Sequence, residues 1–135
     1  MTLETTALWA FEEDILTRSW GDWMEAHTSL LKPLHRYEGQ MNVLPDKLTF
    51  SGKDKRTGDE TFFAIQKYQI EQLYHGFDES YNAMESRGLG LVWLPLRVTF
   101  MQNGKEEKLY IITNYKFFGW ANNKDYFEYL KEWLS

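Results

Sequence analysis

The chain has 135 residues and a formal net charge of −5, and 43% of it is hydrophobic and 17% aromatic, which indicates one domain with a substantial core and excludes a disordered chain. It contains no cysteine, so a disulfide framework and a thiolate metal site are both excluded. No apolar run reaches the ~20 residues of a membrane span, and the first residues lack the basic and apolar regions of a secretory signal, so we expect a cytoplasmic location and no transmembrane segment.

The first predicted element is an acidic helical segment at residues 5–27. Apolar residues recur there at spacings near three and four, as in an amphipathic helix: Leu8, Trp9, Ile15, Leu16, Trp20, Trp23 and Met24. Residues 1–27 carry the whole net charge of −5. We therefore predict an acidic helical extension at residues 1–35. Its tryptophans, Trp9, Trp20 and Trp23, either pack on the rest of the domain or form an interface with a partner or a second copy.

From residue 36 onward the apolar residues alternate, which is typical of half-buried strands. The alternation predicts seven short antiparallel strands, at residues 36–44, 47–52, 60–66, 70–76, 91–93, 96–102 and 108–113. The pair Asn103-Gly104 between the last two strands is typical of a tight hairpin. Residues 77–90 show no periodicity, and a loop of this length is either functional or mobile.

The last predicted element is an amphipathic helix from Asn123 to Leu134. Its apolar residues form one stripe on a 3.6-residue period, namely Tyr126, Phe127, Leu130, Trp133 and Leu134. Because a helix of this length is marginal in isolation, we expect it to lie on the sheet. A barrel of curled strands at residues 36–135, plugged by this helix, would cover both the strand edges and the apolar inner face.

The predicted strands and the last helix resemble the pleckstrin-homology-like superfold, in particular its GRAM-like and bacterial pleckstrin-homology-like branches. The segment Tyr37–Phe50 (YEGQMNVLPDKLTF) is similar to the opening hairpin of that group. The segment LPLRVTF at residues 94–100, followed by LYII at 109–112, is similar to a later hairpin. Trp133 lies in the final helix, where the family characteristically carries a tryptophan. The resemblance covers residues 36–134 and implies a seven-stranded binding scaffold for lipid headgroups, peptides or proteins, and not an enzyme.

The most evident candidate ligand site consists of Lys53, Lys55 and Arg56. In pleckstrin-homology domains that bind phosphoinositides, basic residues of a strand-to-strand loop hold the phosphates, and arginine can bind phosphate with two parallel hydrogen bonds. Residues 46–60, however, hold four acidic and four basic residues. The alternative interpretation is therefore an ordinary solvated turn.

The remaining polar residues give little sign of a reaction centre. His27, His35 and His75 do not occur at the spacings of zinc motifs. The aromatic and basic residues 115–120 could stack nucleic-acid bases. A neutral barrel with an acidic N-terminal segment, however, offers little counterion release to drive such binding. We therefore expect no metal, no cofactor and no nucleic-acid partner.

These observations predict a non-catalytic binding or assembly module that acts through protein–protein association, most simply self-association. One alternative is the binding of phosphoinositides or other anionic lipid headgroups by the three basic residues. A second alternative is a small-molecule carrier in which residues 77–90 form a lid over an aromatic cavity.

Overall fold

The structure, a computed structural model, describes residues 3–16, 35–76, 78, 95–113 and 123–135. Its strands are β1 (Leu3–Phe11), β2 (Tyr37–Val43), β3 (Lys47–Asp54), β4 (Glu60–Gln66), β5 (Ile70–His75), β6 (Leu96–Gln102) and β7 (Lys105–Thr113). Its helices are α1 (Glu12–Leu16), the 3-10 helix Lys67–Gln69 and α2 (Asn123–Leu134). The seven strands form one antiparallel sheet in the order β4-β3-β2-β1-β7-β6-β5. The predicted mainly β fold of seven antiparallel strands with a C-terminal helix is therefore confirmed.

The first strand is the main correction to the sequence-based prediction. β1 lies between β2 and β7 and pairs antiparallel with both of them. Residues 3–11 are therefore the centre of the sheet, and the predicted division into an extension at 1–35 and a barrel from residue 36 is wrong for them. A short N-terminal helix is present as α1, Glu12–Leu16. The rest of the predicted N-terminal helix, residues 17–27, lies outside the described residues.

The later strands agree with the alternation of apolar residues. The predictions for 36–44, 47–52, 60–66, 70–76, 96–102 and 108–113 correspond to β2 through β7 within three residues at each end. The predicted strand 91–93 lies outside the described residues. Asn103 and Gly104 join β6 to β7 with φ values of 53° and 75°, the left-handed backbone that a tight hairpin of this kind requires.

The sheet is curled into a half-barrel. β4 and β5 lie at opposite edges of the sheet, yet only the 3-10 helix Lys67–Gln69 connects them in sequence. The two edges must therefore approach each other at this connection. The Gln69 side chain holds it in place, because its Nε2 donates to the carbonyl oxygen of Met101 in β6 at 2.9 Å.

The core lies on the inner face of this half-barrel, and α2 seals it. The buried residues of the core cluster are Ala7, Trp9, Met41, Val43, Leu48, Phe50, Ile65, Leu96, Val98, Phe100, Leu109, Ile111, Tyr126 and Leu130. Tyr126 and Leu130 belong to α2, and Phe127, Tyr129 and Trp133 of the same helix pack against the cluster. The predicted packing of the apolar stripe of α2 on the sheet is confirmed.

Candidate functional site

The strand β4 is the less protected edge of the sheet. In the part of the chain that the structure describes, its only neighbour in the sheet is β3, and their register runs without irregularity from Lys47↔Gln66 to Lys53↔Glu60. At the other edge, β5 has a register shift between Ile70 and Gln72. Natural proteins protect free edges with bulges, prolines or lysines, and the β4 sequence ETFFAIQ has none of these.

An open groove of about 560 Å³ crosses β2, β3 and β4 on the outer face of the sheet and reaches this edge. We name it the β4 groove, and it is lined by Gln40, Ser51, Gly52, Lys53, Glu60, Thr61 and Phe62. The Phe62 side chain is 68% exposed, whereas its neighbours Phe63 and Ile65 turn inward to the core. Burying an apolar side chain of this size is worth ~1.5–3 kcal/mol. The Phe62 ring is therefore a large apolar surface that a docked chain would cover.

The three basic residues of the predicted phosphate site lie at the hairpin between β3 and β4. Lys53 lines the β4 groove, and its register neighbours are Glu38 of β2 and Glu60 of β4. Lys55 is exposed in the turn that follows β3. Because Lys53 has an acidic residue on either side, it does not stand in the positive field that steers a phosphate group to a site.

The third basic residue, Arg56, is engaged with the protein itself. Its backbone N–H donates to Oδ1 of Asp54 at 2.8 Å, and its Nη2 donates to the carbonyl oxygen of Asp14 at 3.2 Å. These bonds connect the β3–β4 turn to α1. The structure thus brings the three basic residues to one hairpin but does not converge their charged groups on a common point.

Arg36, just before β2, connects α1 to the end of β3. Its Nη1 donates to Oδ1 of Asp14 at 2.7 Å, and its Nε and Nη2 donate to the Asp54 carboxylate at 3.2 and 2.8 Å. The Asp14 and Asp54 side chains are only 8% and 10% exposed. These hydrogen bonds, with that of Asp54 the largest, raise the pKa of the Arg36 guanidinium, and the bond from Arg36 lowers the pKa of Asp54.

We name Asp14, Arg36 and Asp54 the arginine clamp. Sequence reasoning missed it, because Arg36 lies 22 residues from Asp14 and 18 from Asp54, and no local motif signals such a contact. Both carboxylates are satisfied by the same guanidinium. The clamp is therefore a structural fastening beside the hairpin rather than an open anion site.

The predicted tryptophan interface is wrong for Trp9. Its side chain is 0% exposed, and its ring lies 6.0 Å from that of Tyr37 and 5.4 Å from that of Phe50. A side chain in the centre of the core cannot contact a partner. Trp20 and Trp23, the other two members of the predicted interface, lie outside the described residues.

A second charged cluster ties Asp78 to the strands. Arg97 Nη1 and the Tyr110 hydroxyl both donate to Asp78 Oδ2 at 2.7 Å. Arg97 Nη2 donates to Oε1 of Gln72 at 2.8 Å, and the guanidinium lies 4.6 Å from the centre of the Tyr74 ring. Asp78 is the only described residue of the predicted lid at 77–90, and it is fastened to the sheet. The remainder of that loop lies outside the described residues.

The described residues offer no metal centre. Among them, no group of three or more histidine, aspartate or glutamate side chains is placed to hold a metal ion. His35 Nε2 lies 2.8 Å from Glu38 Oε1, and the His75 ring stacks on Phe127 at 5.5 Å. In the same part of the chain, no helix is long and apolar enough to cross a membrane.

Comparisons of the chain with protein-family models, with curated proteins and with solved structures found no match. The likeness to the pleckstrin-homology-like superfold therefore stays a prediction from the sequence. The candidate site rests on the geometry of the described residues, which include an edge strand, β4, next to a groove with an exposed phenylalanine.

Proposed function

We propose that this chain is a non-catalytic module that binds proteins, and that the β4 groove with the free edge of β4 is its binding surface. The observation that carries the proposal is the 68% exposure of Phe62 on a strand whose next residue packs in the core. An extended segment docked on β4 would pair with its backbone and cover the Phe62 ring. Strand addition of this kind combines main-chain hydrogen bonds with side-chain pockets.

The architecture supports the same proposal. A curled antiparallel sheet sealed by a C-terminal helix is the arrangement expected of the pleckstrin-homology-like superfold, whose members serve as binding scaffolds. Fold analogy alone does not choose a ligand. We favour a protein ligand over a lipid because the Phe62 ring is exposed, β4 is an edge strand, and the groove carries both acidic and basic side chains.

Binding of anionic lipid headgroups has less support. Lys53 stands between Glu38 and Glu60, and Arg56 donates to the carbonyl oxygen of Asp14. Phosphate recognition depends on basic groups that converge and outnumber acidic neighbours. A lipid headgroup would have to displace contacts that the protein already makes within itself.

A capture experiment with the full chain as bait tests the proposal. Wild type, Phe62→Lys and Tyr68→Lys are compared for the proteins they retain from the source cells, including differently tagged copies of the chain. Tyr68 is the matched control because it is an aromatic residue that is 86% exposed but lies in the 3-10 helix after β4. We expect wild type and Tyr68→Lys to retain the same protein, and Phe62→Lys to retain ~10-fold less, as for a central interface residue.

Capture that is the same for all three chains would contradict the proposal, provided that Phe62→Lys unfolds at the same urea concentration as wild type. Vesicle flotation supplies the lipid arm of the experiment. The chain could bind vesicles that contain phosphoinositide and lose this binding when Lys53, Lys55 and Arg56 are all changed to alanine. That result would assign lipid binding, and not protein binding, to this hairpin.

A further inference from the structure

We propose that the partner at the β4 edge is an extended protein segment with a lysine or arginine opposite Glu60 and an apolar residue opposite Phe62. The inference rests on the proposed function and names the chemistry of its ligand. Three properties of the first half of β4 carry it, namely the direction of its backbone groups, the charges around Glu60 and the apolar surface on both faces of the strand.

Hydrogen bonds at the two ends of β4 show which of its residues face β3. The Asp54 N–H donates to the carbonyl oxygen of Asp59 at 2.9 Å, and the Lys67 N–H donates to that of Asp46 at 2.8 Å. The register between these bonds has no irregularity, and successive residues of an antiparallel strand direct their backbone groups to alternate sides. The odd-numbered residues of β4 therefore pair with β3, and the even-numbered residues direct their N–H and C=O groups away from it.

Two of the even-numbered residues, Glu60 and Phe62, are available to a docked strand. At the other end of β4 the Gln66 N–H already donates to Oε1 of Gln69 at 2.8 Å, and the connection to β5 closes the edge there. In the described part of the chain, no strand pairs with β4 on the side away from β3. The free part of the edge is thus the first half of β4, which offers the backbone groups of two residues to a short extended segment.

The charges around Glu60 favour a basic side chain in that segment. Glu38 of β2, Lys53 of β3 and Glu60 of β4 lie opposite one another in register, so acidic and basic residues alternate from strand to strand. Glu60 is exposed on the outermost strand, and Asp59 beside it is exposed as well. Because opposite charges in facing positions stabilise a sheet and like charges destabilise it, a lysine or arginine opposite Glu60 continues the alternation, whereas an acidic residue is repelled.

Apolar surface lies on both faces of the free part of the edge. On the outer face, the Phe62 side chain is 68% exposed. On the inner face, the half-buried ring of Phe63 lies 5.3 Å from the half-buried ring of Phe11. Successive side chains of a docked strand point to opposite faces, so the residue opposite Phe62 covers its ring and an adjacent residue meets Phe63. The segment is therefore mainly apolar on either side of its basic residue.

Two synthetic peptides of about seven residues, with blocked ends, test the charge preference. One has a central lysine, valine two positions away on each side and threonine elsewhere, and the other has glutamate in place of the lysine. We expect the lysine peptide to bind the wild-type chain about 5-fold more tightly in fluorescence polarisation. Glu60→Lys should reverse this order. Glu106→Lys, the same change of charge at an exposed position of β7, should preserve it.

Amide hydrogen exchange in the full chain tests the pairing. The lysine peptide should slow exchange at Glu60 and Phe62, and it should leave Thr61 and Phe63 unchanged because these two already pair with β3. A side-chain contact alone does not produce such an alternation. A control peptide with proline in place of both valines keeps the lysine but lacks the N–H groups that would face Phe62, and it should protect neither residue.

The outcomes separate this inference from the proposed function. Equal binding of the two peptides, a preference that Glu60→Lys does not reverse, or no binding up to about 1 mM overturns the basic segment. Capture of a protein that depends on Phe62 would still leave the binding module intact. Peptide binding without new protection at Glu60 and Phe62 overturns the pairing.

Two further results concern the other possible occupants of the edge. Light scattering could show a dimer whose Glu60 and Phe62 amides are protected without peptide, which would assign the edge to a second copy and overturn the inference. A chain that binds neither peptide and captures no protein through Phe62 overturns both the inference and the proposed function.

Discussion

Trp133 of α2 donates a hydrogen bond from Nε1 to the carbonyl oxygen of Leu44, 2.7 Å away in the turn between β2 and β3. Lys67, which begins the connection from β4 to β5, places its Nζ 5.0 Å from the centre of the same ring. One side chain thus ties the end of the last helix to two connections at the rim of the half-barrel. The seal over the core depends on this contact as well as on the apolar stripe of α2.

We expect Trp133→Phe to lower the free energy of unfolding by about 1–2 kcal/mol, because it keeps an aromatic ring but removes the donor to Leu44. Urea unfolding at neutral pH measures the change. Lys131→Ala, on the exposed side of the same helix, should stay within about 0.5 kcal/mol of wild type. Equal stability of Trp133→Phe and wild type would show that the hydrogen bond does not hold the helix.

The arginine clamp predicts a component of acid sensitivity. The hydrogen bond from Arg36 holds the pKa of Asp54 below its ordinary value of 3.8. Because the unfolded chain has the ordinary pKa, the stabilisation is complete above pH 3.8 and is lost as the pH falls through the lower folded-state pKa.

We expect Asp54→Asn to be less stable than wild type at neutral pH and to lose less stability on acidification, so that the two curves converge at low pH. Urea unfolding from neutral pH to about pH 2 measures both curves. Asp59→Asn, an exposed position in the same hairpin, should follow the wild-type curve. Parallel curves for wild type and Asp54→Asn would contradict the assignment of this acid sensitivity to the clamp.

The close approach of β2 and β3 depends on two glycines that face each other in register, Gly39 and Gly52. A Cβ atom at Gly39 would collide with the backbone carbonyl oxygen of Ser51. Backbone atoms in a paired strand cannot move aside cheaply, so we expect Gly39→Ala to destabilise the fold by ~2–3 kcal/mol. Thermal and urea unfolding measure this, with exposed Gln40→Ala as the neighbouring control. An unchanged midpoint for Gly39→Ala would mean that the strands can separate there.

The Tyr110 hydroxyl donates to Asp78 at 2.7 Å, and the Tyr110 side chain is 0% exposed. We expect Tyr110→Phe to lower the free energy of unfolding by about 1.5–3 kcal/mol, the range for a hydrogen bond to a charged group. Tyr68→Phe removes the same hydroxyl from a side chain that is 86% exposed and should change nothing. A similar small effect from both changes would rule out a structural role for the Tyr110 hydroxyl.

The sequence alone determined the strands from β2 onward and the last helix. In β3, Leu48 and Phe50 are buried while Ser51 and Lys53 are exposed, so the alternation of apolar and polar residues is visible in the sequence. The stripe of α2 and the Asn103-Gly104 turn are equally local signals. Such elements are predictable because each has one face in the core and one face in water, or requires a special backbone conformation.

Only the tertiary structure decided the nature of β1. Ala7 and Trp9 face the core, Leu8 and Ala10 face the opposite side, and all four are buried. A strand buried on both faces has no alternation, and the nearly continuous apolar run, followed by acidic residues, has the spacing of an amphipathic helix. β1 pairs with β2 and β7, whose residues lie far from it in the sequence. The spacing of apolar residues within β1 carries no information about such contacts.

The candidate site also depends on the central position of β1 in the sheet. Because β1 occupies the centre of the sheet, β4 and β5 become its edges, and in the described part of the chain the backbone of β4 beside Phe62 has a neighbouring strand on one side alone. The arginine clamp likewise needs α1, β2 and β3 to meet in space. Periodicity in the sequence specifies which face of a strand is buried, whereas the neighbours of a strand are determined by packing between residues far apart in the chain.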